Sequence, residues 1–151
     1  MVNNDSLVDH YAVTLMVGFH APNSQQLPIF LDFRNDGMNT SGDFFSFVVG
    51  AVRLGFLVSG DVVVCDNAKV HTAPMMTMHL KAFLDPLNIF LLYLPTYSPE
   101  LNPCELVFAT VKNGIRNHRD STKTWLNEIR DRFTAITSNE MFAMYRHCLD
   151  Q

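Results

Sequence analysis

Residues 61–65, DVVVC, form a short apolar run that Gly60 precedes and Asp66-Asn67 closes. Nothing else constrains the fold as much. Three successive valines leave no polar face, so the run predicts a strand covered on both sides, as in sheets flanked by helices. The neighbouring segments supply the cover. Over residues 41–57, Phe44, Phe47, Val48, Ala51, Val52 and Phe56 recur at helical spacing, with Ser41 or Asp43 as cap. Residues 72–84 read as a helix with Pro74 in its first turn. Residues 11–19, YAVTLMVGF, and 27–33, LPIFLDF, read as strands, and Pro28 suggests an edge position for the second. Residues 88–94 are another strand, 95–102 a loop and 103–117 a helix. One or two more helices follow in residues 122–148. The alternation predicts an α/β fold, a layered sheet of mixed strand direction.

Composition narrows the function classes. At 151 residues the chain has a one-domain length with room for a sizeable core. A net charge of −4 argues against a strongly basic nucleic-acid-binding surface. It leaves room for a local patch, and Lys112, Arg116, His118, Arg119 and Lys123 crowd into residues 112–123. Cys65, Cys104 and Cys148 are odd in number without Cys-x-x-Cys spacing, which fits a reducing intracellular compartment and thiols that act as small hydrophobes. The first residues, MVNNDSLVDH, are polar and do not read as a signal peptide, and no apolar run is long enough to span a bilayer.

Several residues carry candidate chemistry, each with a plainer alternative. Asp66 ends the valine strand, where open α/β sheets place ligand sites; it equally suits a turn. Asn102-Pro103-Cys104-Glu105 has the spacing of a helix start, with Asn102 as cap and Glu105 third, so Glu105 has a capping explanation. His71 reads first as a hydrogen-bonded loop residue. Pro95, Pro99 and Pro103 stiffen a loop, and Met75, Met76 and Met78 are expected to fill core gaps.

Two segments carry a resemblance. VVVCDNAKVH, followed by FLLYLPTYSPELNPCELVFATVKNGIR, resembles the catalytic core of DDE transposases of the mariner-like group. The likeness extends over about residues 11–119 and is dense from Asp66 to Lys112. It implies a ribonuclease-H-like fold, a mixed sheet flanked by helices, and metal-dependent cleavage and transfer of DNA strands in transposition. It also implies that Asp66 and Glu105 are the second and third acidic residues of a triad that binds two Mg²⁺ or Mn²⁺ ions. Asn67, His71 and Asn102 would support the ligands or face the substrate. Lys112, Arg116, Arg119 and Lys123 would touch DNA phosphates, and the DNA partner would be transposon ends. Self-association is a further expectation, and a membrane role is not. The location would be the nucleus in a eukaryote and the cytoplasm in a bacterium.

The chain departs from that pattern at its start. In the family the first aspartate lies on an initial central strand ahead of the one that residues 11–19 resemble. Residues 1–10 do not read as a strand, Asp5 and Asp9 end no apolar run, and Asp32 lies inside a later strand. The expectation is therefore a sheet lacking its first, central strand. Residues 1–10 would be a polar segment, 11–120 a partial catalytic domain and 121–151 a helical extension. Such a chain would be a truncated domain, inactive alone, or a non-catalytic remnant reused as an interaction module.

Overall fold

The computed structural model describes residues 11–21, 23–35 and 39–151. Asp5, Asp9 and the polar segment 1–10 lie outside the described residues. The architecture is mixed α/β: two small sheets flanked by helices, a ribonuclease-H-like arrangement lacking some strands.

Strand β1, Ala12–Val17, pairs antiparallel with β2, Ile29–Arg34. One face of the pair is wholly apolar; the other mixes Met16 and Phe30 with Thr14, Asp32 and Arg34. Val13, Leu15, Val17, Ile29, Leu31 and Phe33 pack on one side, against a core of Val107, Val111, Phe133, Ile136 and Met141. Met16 and Phe30 pack on the other, against a second core around Phe47, Val48 and Ala51. The hairpin is thus the layer between two cores.

Helix α1, Ser41–Arg53, follows. Its cap is Thr40, not the expected Ser41 or Asp43, which are the first and third residues of the helix. The Thr40 hydroxyl accepts from the Asp43 N–H, and the Asp43 carboxylate accepts from the Thr40 N–H, so two orphan donors are satisfied. The helix expected over residues 72–84 is α3, Pro74–Leu84, with Pro74 in its first turn as expected; a separate short helix, α2, Lys69–Thr72, precedes it. The break is at Ala73, with φ −53° and ψ 127°, because the Pro74 ring excludes the helical region for the residue before it. Only Met76 of the three methionines packs on the core. Met75 and Met78 are exposed, contrary to the expectation that all three fill gaps.

Strand β3, Val62–Cys65, pairs parallel with β4, Phe90–Tyr93. Val63 and Cys65 are buried toward α1 and α3, where Leu80 and Leu84 are fully buried, each worth about 1.5–3 kcal/mol of transfer free energy. Val62, Val64, Phe90 and Leu92 on the opposite face are 49–56% exposed. The unbroken valine run suggested cover on both faces; the structure covers one.

Both strand directions occur, in separate sheets rather than one. The Gly18 N–H to Pro28 C=O bond, 2.8 Å, continues the β1–β2 ladder and fixes its phase. Residues 13, 15 and 17 then turn their backbone groups away from β2. Side chains take two of those carbonyls. Tyr145 Oη donates to Val17 O over 2.9 Å, and Cys104 Sγ makes a weak contact with Leu15 O at 3.9 Å.

Three helices complete the fold: α4, Pro103–Asn117, α5, Trp125–Thr134, and α6, Ser138–Leu149. Helix α6 is tied to the β1–β2 connection, since Ser138 Oγ donates to Ser24 O and Gln26 O at 3.1 and 3.2 Å. Glu128 on α5 is buried and bonded to Arg132, which also donates to His118 O. No described helix is long and apolar enough to cross a membrane.

Candidate active site

The ends of β3 and β4 and the start of α4 converge on a cavity of about 280 Å³. Asp66 follows the last residue of β3. Glu105 lies in the first turn of α4. Both line this cavity, together with Asn67, Pro95, Tyr97 and Asn102. Two residues with 38 others between them in sequence are thus brought to one opening.

Each carboxylate has a definite state. Asp66 Oδ1 accepts from the Ala68 N–H at 3.0 Å and from His71 Nδ1 at 2.7 Å. A carboxylate only accepts, so the imidazole proton sits on Nδ1. Both bonds fall on Oδ1; Oδ2 makes none to the described residues. The His71 ring stacks on buried Phe44 with centroids 4.1 Å apart, and Tyr93 Oη donates to the His71 C=O at 2.7 Å while meeting Thr77 Oγ1 at 2.9 Å. His71, expected in a loop, lies in the short helix α2 and is a fixed support for Asp66.

Glu105 differs. Asn102 caps α4 by accepting from the Cys104 N–H at 3.0 Å, as the spacing predicts. Glu105 does not bond back to the Asn102 N–H, so the reciprocal capping bond is not made. Its exposed carboxylate has no hydrogen bond or ion pair to the described residues and borders the cavity. Asn67 donates its amide N–H to Leu94 O, which ties β3 to the proline-rich loop and leaves its own oxygen uncommitted.

The thiols register the local charge. Burial pushes Cys104 up to about 12, and the negative charges of Asp66 and then Glu105 add to the rise. Cys65 is pushed up to about 12 by burial and then by Asp66. Cys104 thus sits within electrostatic reach of both carboxylates. The sequence marked it only as a small hydrophobe.

Two carboxylates and an amide oxygen are hard donors of the kind that Mg²⁺ and Mn²⁺ take, and an ion so held would keep several waters. Among the described residues no group of three or more His, Cys, Asp or Glu side chains is gathered to hold a metal ion. Asp32 is elsewhere. It lines a larger cavity of about 450 Å³ between β2 and α5 whose walls are mainly Leu27, Ile29, Leu31, Phe33 and Phe133. That space is wider, yet Asp32 is its one carboxylate, so the smaller cavity is the candidate site.

The basic residues lie on and after α4. Lys112 and Arg116 are exposed one turn apart. The Arg119 guanidinium sits 3.8 Å from the Trp125 ring centroid. Lys123 pairs with Asp131 at 2.7 Å and with Asp120 at 4.0 Å.

Tyr97 carried no distinct role in the sequence. Its backbone is left-handed, φ 58°, and its side chain is 95% exposed at the cavity. Nothing in the sequence around it, Thr96 and Ser98, signals that conformation.

Residues 29–127, two thirds of the chain, match the family model of the DDE superfamily endonuclease. No curated protein matches the chain.

Proposed function

The chain belongs to the DDE superfamily endonuclease family, and from that premise we propose that it is the metal-binding part of a mariner-like transposase catalytic domain. The substrate is DNA at transposon ends, and the reaction is strand cleavage and transfer. The observation that supports this reading most is the arrival of Asp66, from a strand end, and Glu105, from a helix start, at one cavity.

In this reading Asp66 Oδ2 and the Glu105 carboxylate hold divalent Mg²⁺ or Mn²⁺, with Asn67 Oδ1 beside them. When bound there, divalent metal would supply activation of the attacking oxygen and charge relief at the leaving one. The chain's own residues do the positioning. His71 and the Ala68 N–H hold Asp66 by one oxygen, which leaves the other to take a ligand. Asn102 fixes the start of α4 and with it Glu105. Lys112 and Arg116, with Arg119 and Lys123 further along, contact backbone phosphates. The protein works where its DNA is, in the nucleus of a eukaryote or the cytoplasm of a bacterium.

A second reading has its own support. The described residues bring two carboxylates to the cavity and no third. On that count residues 11–151 form a site that needs another carboxylate before it cuts, and by themselves act as a domain that binds without cutting. The two readings share the metal site and differ in turnover.

The test is Mn²⁺ binding by calorimetry or water-proton relaxation on the wild type, Asp66→Asn and Glu105→Gln. We expect weak, roughly millimolar binding in the wild type, because two carboxylates are few for a divalent ion that must shed water. Both variants should bind more weakly still. Equal binding by all three proteins would remove Asp66 and Glu105 from the ligand set.

A further inference from the structure

Three described residues other than glycine have positive φ: Asn23, Asn88 and Tyr97. Asparagine tolerates the left-handed region; a bulky aromatic does not, and an outlier of this kind survives only where the surroundings impose it. The surroundings of Tyr97 are stiff. Pro95 and Pro99 flank it two residues away on each side, and the Asn67 amide pins the preceding Leu94 carbonyl. The strain gains nothing for the fold, because the ring is 95% exposed and makes no hydrogen bond to the described residues. Tyr93 and Tyr145, by contrast, both spend their hydroxyls on backbone carbonyls. A loop that holds an aromatic ring out of the core, in a strained backbone, beside two carboxylates, presents that ring to a ligand.

The chemistry of the wall says which ligand surface fits. Asp66 and Glu105 make the cavity anionic, so the ring does not meet bare phosphate there. A nucleobase is neutral, flat and stacks on tyrosine whatever its identity. We infer that Tyr97 is a stacking platform for an unpaired nucleobase, the one adjoining the phosphate that Asp66 and Glu105 serve. This rests on the proposed DNA-cleaving site and adds to it the form of the substrate: a single-stranded, frayed or extruded nucleotide rather than an intact pair. Fixing the nucleoside sets the phosphate in reach of the carboxylates without reading sequence.

The experiment is a fluorescence titration of a single-stranded oligonucleotide carrying 2-aminopurine, at low salt with Mn²⁺, using the wild type, Tyr97→Phe, Tyr97→Ala and Tyr97→Gly. The wild type should quench the 2-aminopurine, and the Phe variant should match it because the ring is kept. Tyr97→Ala should bind about 5- to 100-fold more weakly and lose the quench. Tyr97→Gly should lose the quench while raising the melting temperature, since glycine adopts positive φ without strain. That opposite movement of stability and binding is something a purely structural role does not give. Absence of quenching by the wild type, or an alanine variant that quenches as well as the wild type, overturns the platform. The metal reading is judged separately by Asp66→Asn: a tyrosine-dependent quench with Mn²⁺ binding unchanged by Asp66→Asn leaves the platform standing and removes the metal site.

Discussion

His71 holds Asp66 through a single carboxylate oxygen at 2.7 Å, and the imidazole is itself clamped by the face of Phe44. A ligand carboxylate oriented in this way needs its partner. We expect His71→Ala to weaken Mn²⁺ binding about 10-fold, within the range for lost supporting bonds at metal ligands. His71→Asn, which keeps a donor near the same place, should recover part of the loss. The measurement is Mn²⁺ relaxation, with circular dichroism to confirm folding. Unchanged Mn²⁺ affinity in the alanine variant would contradict the orienting role.

Strand cleavage is the second expectation. The described residues bring two carboxylates to the cavity, and a two-ion site short of a ligand loses charge and geometry together; a 1 Å misplacement alone can cost about a hundredfold. We expect no plasmid nicking by the chain alone in Mg²⁺ or Mn²⁺. Nicking that Glu105→Gln abolishes would refute this and would identify a further ligand, with Asp9 the first residue to test.

DNA affinity should depend steeply on salt. Lys112 and Arg116 are exposed and unpaired among the described residues, so alanine at either should lower the slope of log affinity against log salt by about one phosphate contact. Lys123 is engaged by Asp131 and Asp120, and Lys123→Ala should change the slope less. Filter binding across a salt series decides, and a salt-independent constant rules out phosphate contact.

Alkaline pH should destabilise the fold. Burial raises Cys65 and Cys104 to about 12 from the ordinary 9, so between those values the unfolded chain releases protons that the folded chain retains. Fewer protons on the unfolded side means unfolding free energy falls as pH rises. Buried Tyr145 is shifted upward too and acts in the same sense. Denaturant melts at pH 8, 9.5 and 11 should show a progressive loss, reduced in Cys104→Ala relative to its own value at pH 8. A flat profile would contradict the burial of these groups.

The Glu128–Arg132 pair offers a stability test away from the cavity. Glu128 is 2% exposed, and Arg132→Ala would leave its carboxylate buried without the guanidinium. The expected loss is about 3 kcal/mol, read from urea denaturation. Pairing Arg132→Ala with Glu128→Leu should restore most of it.

The sequence carried the fold class, and it singled out Asp66 and Glu105, which the structure brings to one cavity. Elements with local signals lie where the pattern puts them: α4 begins at Pro103 with Asn102 as cap, and β4 sits inside the apolar run before the prolines. The start of α3 was also local, since Pro74 opens the helix and restrains Ala73, whereas the short α2 before it carried no periodic signal. Exposure of Val62 and Val64 was not legible, because an apolar run does not say which of its faces a helix will reach. The contacts that take up outward-facing carbonyls of β1 were not legible either, because Tyr145 and Cys104 come from 128 and 89 residues away. Asp66 and Glu105 stood out by their places at a strand end and a helix start. Tyr97 did not, because its backbone angle is set by the loop as a whole rather than by its neighbours in sequence.

The bonds that join α6 to the first hairpin set an order of events during synthesis. Ser138 and Tyr145 reach Gln26 and Val17, so the hairpin leaves the ribosome long before the helix that completes its surroundings. Until α6 has been translated, Val13, Leu15 and Val17 have lost water on one side only through whatever the nascent chain supplies. At about 5–20 residues per second that interval lasts seconds, during which the segment is open to a chaperone, and a chain stopped before residue 138 would lack the cover that Met141 and Tyr145 give it.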